Sequence, residues 1–232
     1  MITLIKSQPE PDDLQKEREK AYGDYKTPKV LDQIKEDFKN KCYICEMKNP
    51  PVINVEHFIP HKDDHTLKFQ WDNLFYACGH CNNIKLAKYN NILNCTNLKD
   101  DVENVIRLKM DPFPVTDVEV IINNYKLSTD KRVTQTVEML NKVYNGSTNL
   151  KEIEAYNIKN HLLTEIVKFQ KLLIEYYEFY YDNEIKEEIK ISIVRHLSKA
   201  SSFTSFKWWI VKQNTSYLNE FGSYIEENKI TS

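Results

Sequence analysis

The stretch Lys41–Lys88, KCYICEMKNPPVINVEHFIPHKDDHTLKFQWDNLFYACGHCNNIKLAK, decides how the rest of the chain is read. Two CxxC pairs, Cys42/Cys45 and Cys78/Cys81, stand about thirty residues apart in it. Four thiolates at that spacing can close a tetrahedral zinc site by bringing two knuckles together. The alternatives are two disulfides, disfavoured in a reducing compartment, or four buried free thiols. A site of four cysteines has no open coordination position, so its structural Zn2+ holds the chain and does no chemistry. The fifth cysteine, Cys95, has no CxxC partner and reads as a core residue. Between the pairs lie an apolar strand, INVEHFIP, a polar turn, KDDHT, and a second apolar run, NLFYA; a helix-like NNIKLAKYNNI follows.

Outward from this segment, 232 residues suit one large domain or two small ones. Hydrophobic residues make up 41% and charged residues 28%, and no apolar run reaches the length of a membrane span, so no membrane association is expected. The opening MITLIKSQPEPDD turns acidic before a signal-peptide core can form, which predicts a cytoplasmic protein. Thirty-two basic against thirty-four acidic side chains confine any nucleic-acid surface to a local patch. Four glycines, with no GxGxxG, Walker loop or GxSxG, argue against dinucleotide and P-loop readings and leave a serine hydrolase poorly supported.

ITLIK at the start reads as a strand, and Asp12–Ala21 and Lys29–Asn40 as helices, the latter with Val30, Ile34 and Phe38 on one face. Beyond the central stretch come a DPFP break at 111–114, a strand in VEVIINNY, and a helix from about Thr134 to Tyr144 closed by Asn145-Gly146. A helix of some thirty residues follows, striped by Leu162, Ile166, Phe169, Leu173, Tyr176 and Tyr180. Ile185–Leu197 continues in helix, and Ser201 or Ser202 would cap a helix carrying Trp208 and Trp209, both read as core. The expectation is an α+β protein in three parts: a lead-in at 1–40, a zinc-stapled core at 41–100, and a mainly helical region at 101–232.

Glu56-His57 ends the first central strand, Asn73 sits in WDNLFYAC, and Asn82 follows the last cysteine. Read in order, CYIC, VEHFIPH and WDNLFYACGHCNNIK make Lys41–Lys88 resemble the HNH endonucleases, the ββα-metal or His-Me finger nucleases. The resemblance implies that His57 is a general base, a task its side-chain pKa suits near neutral pH. It implies a catalytic Mg2+ or Mn2+ held by Glu56 and Asn82, and an orienting role for Asn73 through a backbone hydrogen bond to the loop after His57. Lys85 and Lys88 would meet phosphates of a DNA or RNA substrate. Neighbours on a strand point to opposite faces, so Glu56 and His57 share a site only if the strand ends or bulges there. The family's more familiar pair is Asp-His, and Glu adds a methylene. His61, His65 and His80 read as structural, Asn83 as a weaker rival to Asn82, and Asp63-Asp64 as a solvated loop.

Over most of the chain, VEHFIPH, the ITLIK opening, DPFP, TVEMLN and HLSKASSFTSFKWWI resemble the HNH nuclease subunit of Septu-type anti-phage systems and related retron cassettes. That implies an effector nuclease partnered by an ABC-type, SMC-like ATPase, with the helical region as a docking surface. Two other readings stand beside it: a zinc-knuckle module that binds nucleic acid or protein without cutting, and an assembly subunit with a degenerate site.

Overall fold

A computed structural model describes residues 1–113, 115–146, 148–179 and 182–230. In chain order the elements are α1 (Asp12–Arg18), α2 (Pro28–Asp37), β1 (Ile53–His57), α3 (His65–Lys68), β2 (Leu74–Cys78), α4 (Gly79–Lys85), α5 (Val102–Val105), β3 (Ile106–Lys109), β4 (Glu119–Ile122), α6 (Lys131–Asn145), α7 (Asn149–Glu178), α8 (Asn183–Leu197), α9 (Thr204–Lys212) and α10 (Thr215–Ile230). The result is an α+β protein in which helices surround two antiparallel hairpins, β1–β2 and β3–β4.

The helices begin and end where their chemistry dictates. Thr27 accepts from the Val30 amide to start α2, with Pro28 in the first turn, and Val30 and Ile34 are fully buried one turn apart. Asp130 caps α6, and Gly146, at φ 76°, ends it in a conformation that favours glycine. The thirty residues of α7 bury Ile158, Leu162, Ile166, Phe169, Leu173 and Tyr176 along one stripe. Tyr180 and Pro114, the last members of the stripe and of the DPFP break, lie outside the described residues.

Three local expectations are corrected. ITLIK forms no strand: the Leu4 amide donates to the Cys95 carbonyl, but no ladder develops, and Met1, Ile2 and Leu4 are held by burial. The first helix stops at Arg18, three residues short of Ala21. Neither Ser201 nor Ser202 caps α9, which starts after Phe203 in a left-handed conformation, φ 51°. Ser202 instead turns back to the first zinc knuckle, where its hydroxyl accepts from the Lys48 amide.

That knuckle is where the helical region docks. Glu46, one residue beyond Cys45, receives the Phe203 amide on its carbonyl and the Ser205 amide on its carboxylate. Lys41 donates to the Ser201 carbonyl and to Thr204, and the Tyr144 hydroxyl donates to the Cys45 carbonyl. Burial alone would raise the Glu46 carboxyl, yet the amine of Met1, Lys41 and Ser205 together hold it down at about 2. One continuous apolar core runs from Met1 through the hairpin to Ile225 and includes Trp208. Trp209 is buried as well, and its ring N–H donates to the Ile106 carbonyl.

Candidate active site and metal centre

In the β1–β2 hairpin, Ile53 pairs with Cys78 and His57 with Leu74. Every residue of β2 is buried, so its register is set by apolar contacts on both faces. Helix α4 follows β2 without a break. Gly79 opens it where a Cβ would come within 3.2 Å of Val52 Cγ1, so the close approach of α4 to the start of β1 depends on the missing side chain. Hairpin and helix thus make a ββα unit with one site at each end.

At the first end the sulfurs of Cys42, Cys45, Cys78 and Cys81 lie within 4.8 Å of one another, all four residues buried. Zn–S bonds of about 2.3 Å in a tetrahedron place sulfurs about 3.8 Å apart, and Cys45 Sγ to Cys78 Sγ is 3.9 Å. The donor set and spacing fit zinc. The Cys81 amide points at Cys78 Sγ at 3.5 Å, so backbone dipoles help to stabilise thiolate charge. Cys95 stands apart from this group, fully buried, and burial pushes its thiol up. His80, inside the second knuckle, packs away from the metal position: its Nε2 meets the Val143 carbonyl at 2.8 Å and its Nδ1 meets Glu154 at 2.6 Å.

At the other end a cleft of about 310 Å³ is lined by Glu56, His57, Pro60, His61, Lys62, Asn82 and Leu86. Strand β1 stops at His57, and this ending lets two consecutive side chains reach one cleft. His57 is half-buried, and its Nε2 lies 3.0 Å from the Lys68 carbonyl. A carbonyl only accepts, so Nε2 carries the ring proton and Nδ1 keeps its lone pair. Burial lowers the His57 pKa below the ordinary value, opposed by the bond to Lys68. The ring is also held edge-on between Tyr25 and His61, each with centroids 4.6 Å away.

Asn73 clamps the loop that follows His57. Its Oδ1 accepts from the Ile59 amide at 2.7 Å, and its Nδ2 donates to the carbonyls of Ile59 and Leu67. Its backbone carbonyl takes the Phe58 amide. Asp64 caps α3 within this loop by accepting from Leu67, so its exposed carboxylate does local structural work.

Glu56 is buried, with Oε1 2.6 Å from Lys85 Nζ and the buried Tyr43 hydroxyl interacting with its carboxylate. Burial pushes its carboxyl well above the usual carboxylate range, against the pull of Lys85. A carboxylate and a half-exposed Asn82 amide oxygen lining one cleft are a donor set that fits a hard divalent cation. Asn83 lines a different groove, beside His80 and Glu154, so the two asparagines face different grooves from adjacent positions on α4.

The expected phosphate contact by Lys85 is corrected. Its side chain is fully buried, pairs with Glu56, and donates to the carbonyls of Phe58 and His57, so it ties down the end of β1 from below. Lys88 is exposed, 3.5 Å from Glu138. Sequence reasoning missed three contributors to the cleft: Tyr25, His61 and Lys62. His61 in VEHFIPH carried a visible signal, whereas Tyr25 depends on how the lead-in folds back and had none.

A closed cluster of four cysteines and a half-open histidine cleft at the two ends of one hairpin–helix define a zinc-type ββα module. Residues 42–88 match the family model of the HNH endonucleases. No curated protein and no solved structure gives a match. Among the described residues no helix is long and apolar enough to cross a membrane.

Proposed function

We propose that this protein is a metal-dependent HNH endonuclease that hydrolyses phosphodiester bonds of nucleic acid. The observation that carries the reading is the fixed tautomer of His57 in a cleft shared with Glu56 and Asn82. With Nε2 committed to the Lys68 carbonyl, Nδ1 is the atom that takes a proton from the attacking water. Asn73 acts through the loop it clamps, keeping Lys68 and Ile59 where the His57 ring needs them. Lys85 orients Glu56, and Lys88, exposed just beyond α4, is left to meet a flanking phosphate. Mg2+ or Mn2+ held by Glu56 and Asn82 would neutralise charge on the phosphate. Zinc on the four cysteines would fix the far end of the unit.

The wider reading makes residues 101–232 a docking surface in an anti-phage complex with an SMC-like ABC ATPase. Its supports are the Septu-type and retron resemblance and an exposed apolar row at the start of α7, Leu150, Ile153 and Tyr156. The test is cleavage of single- and double-stranded DNA and RNA in Mg2+ or Mn2+, with and without the ATPase, by wild type and His57→Ala. Cleavage that requires His57 is expected. Binding without cleavage under every condition would favour a zinc-knuckle binding module.

A further inference from the structure

The cleft holds a second histidine that the proposed hydrolysis leaves without a role. His61, four residues beyond His57, lines the same cleft and meets the His57 ring edge-on. Backbone geometry puts it there. Lys62 and Asp63 both take left-handed φ values, 44° and 67°, a conformation that costs a non-glycine residue about 1 kcal/mol or more. The tight turn returns the Asp64 amide to the His61 carbonyl at 2.7 Å and the Asp63 amide to His61 Nδ1 at 3.2 Å. Just upstream, Asn73 grips both backbone polar groups of Ile59. The ring is therefore pinned from both sides of Pro60 and does not hang from a free loop.

The amide contact also decides which nitrogen carries the proton. A ring nitrogen that accepts from an N–H has none, so in neutral His61 the hydrogen sits on Nε2. The two rings in contact are thus opposite in kind: His57 leaves a lone pair at Nδ1, and His61 leaves an N–H at Nε2. Hydrolysis of a phosphodiester needs both, an acceptor for the proton of water and a donor where negative charge gathers on the phosphate. Lys62, on the same wall, adds positive charge beside that donor.

We propose that His61 contacts the scissile phosphate, its Nε2–H donating to a non-bridging oxygen while His57 serves the attacking water. The inference rests on the nuclease reading and adds to it a phosphate-contacting residue. The test compares wild type, His57→Ala, and three changes at His61. Phe keeps a ring against His57 but removes the donor; Asn keeps a donor but removes the ring; Ala removes both. The readouts are single-turnover cleavage, zinc content, and binding of a labelled oligonucleotide of the cleaved class, measured in the His57→Ala background with and without His61→Phe.

All variants should retain zinc. Ala and Phe should each lose roughly tenfold to a hundredfold in cleavage, the scale of a lost transition-state donor, and Asn should recover part of it. The second change should also weaken oligonucleotide binding by the inactive protein. A Phe variant that cuts at the wild-type rate would reduce His61 to a ring brace and overturn the inference. So would an Ala variant at the wild-type rate beside an inactive His57→Ala. Cleavage independent of His57 would instead overturn the nuclease reading, and this inference with it.

Discussion

The two ends of the ββα unit use the same elements for opposite purposes. At the start of α4 four sulfurs gather within 4.8 Å, buried, with the Tyr144 hydroxyl and the Cys81 amide packed around them. At its end Asn82 and His57 are half-exposed around a cleft of about 310 Å³. The first arrangement satisfies a metal completely and leaves nothing for a substrate. The second leaves the His57 Nδ1 lone pair facing a half-open cleft, which is what the proposed reaction needs and a closed metal site lacks. Both ends are braced: the cleft by the hydrogen bonds of Asn73 and Lys85, the cysteine cluster by the metal its sulfurs would hold.

The contrast is broken most severely from the zinc end. Closed zinc sites carry roughly 10–16 kcal/mol of apparent binding free energy that is also folding free energy. Cys78→Ser should therefore lose zinc and the cooperative thermal transition together, checked by metal analysis and calorimetry. An unaltered melting curve would mean that the cluster is not what holds the hairpin. At the cleft end, Lys85→Met strands Glu56 as a buried, unpaired acid and should cost roughly 3–5 kcal/mol in denaturant unfolding, whereas Lys88→Ala should change stability little. Equal effects at the two lysines would contradict the buried pair.

Asn73→Ala leaves the Ile59 and Leu67 backbone groups without their partner and should lose about 1–3 kcal/mol. Hydrogen exchange should report the loss as faster exchange confined to residues 58–68. Smallest is a change in the helical region, where Glu165 pairs with the buried Lys207. Burial raises the Glu165 carboxyl, but Lys207 outweighs it and holds the pKa below the ordinary glutamate value. A depressed carboxyl stabilises the fold above its unfolded pKa and less as the pH falls through its folded pKa. Glu165→Gln should cost about 1 kcal/mol at pH 7, discounted for partial exposure, and the gap from wild type should narrow in acid. A gap that is constant with pH would remove the charge from the explanation.

Much of this contrast is legible from spacing. The paired CxxC motifs give the cysteine cluster, and the apolar periods of α2, α6 and α7 give helices close to their observed limits. What spacing does not carry is direction. Lys85 looks like a phosphate contact because it is a lysine near a helix end; only the hairpin's closure over α4 turns it inward. Asn82 and Asn83 are neighbours in sequence and face different grooves. His61 reads as one more loop histidine until the left-handed pair after it brings its ring onto His57. ITLIK has the alternation of a strand, but strand formation needs a partner edge, and among the described residues its amides meet the Cys95 carbonyl and the Glu103 carboxylate without forming a ladder.

The division of labour between the two ends is tested most directly by His57→Ala, with zinc content, thermal unfolding and nucleic-acid cleavage measured on one preparation. Zinc and melting temperature should match wild type while cleavage falls by about 10²–10⁴-fold, the range for a lost general base. Cleavage that persists at the wild-type rate, or loss of zinc and fold along with activity, would contradict a zinc end that holds and a histidine end that reacts.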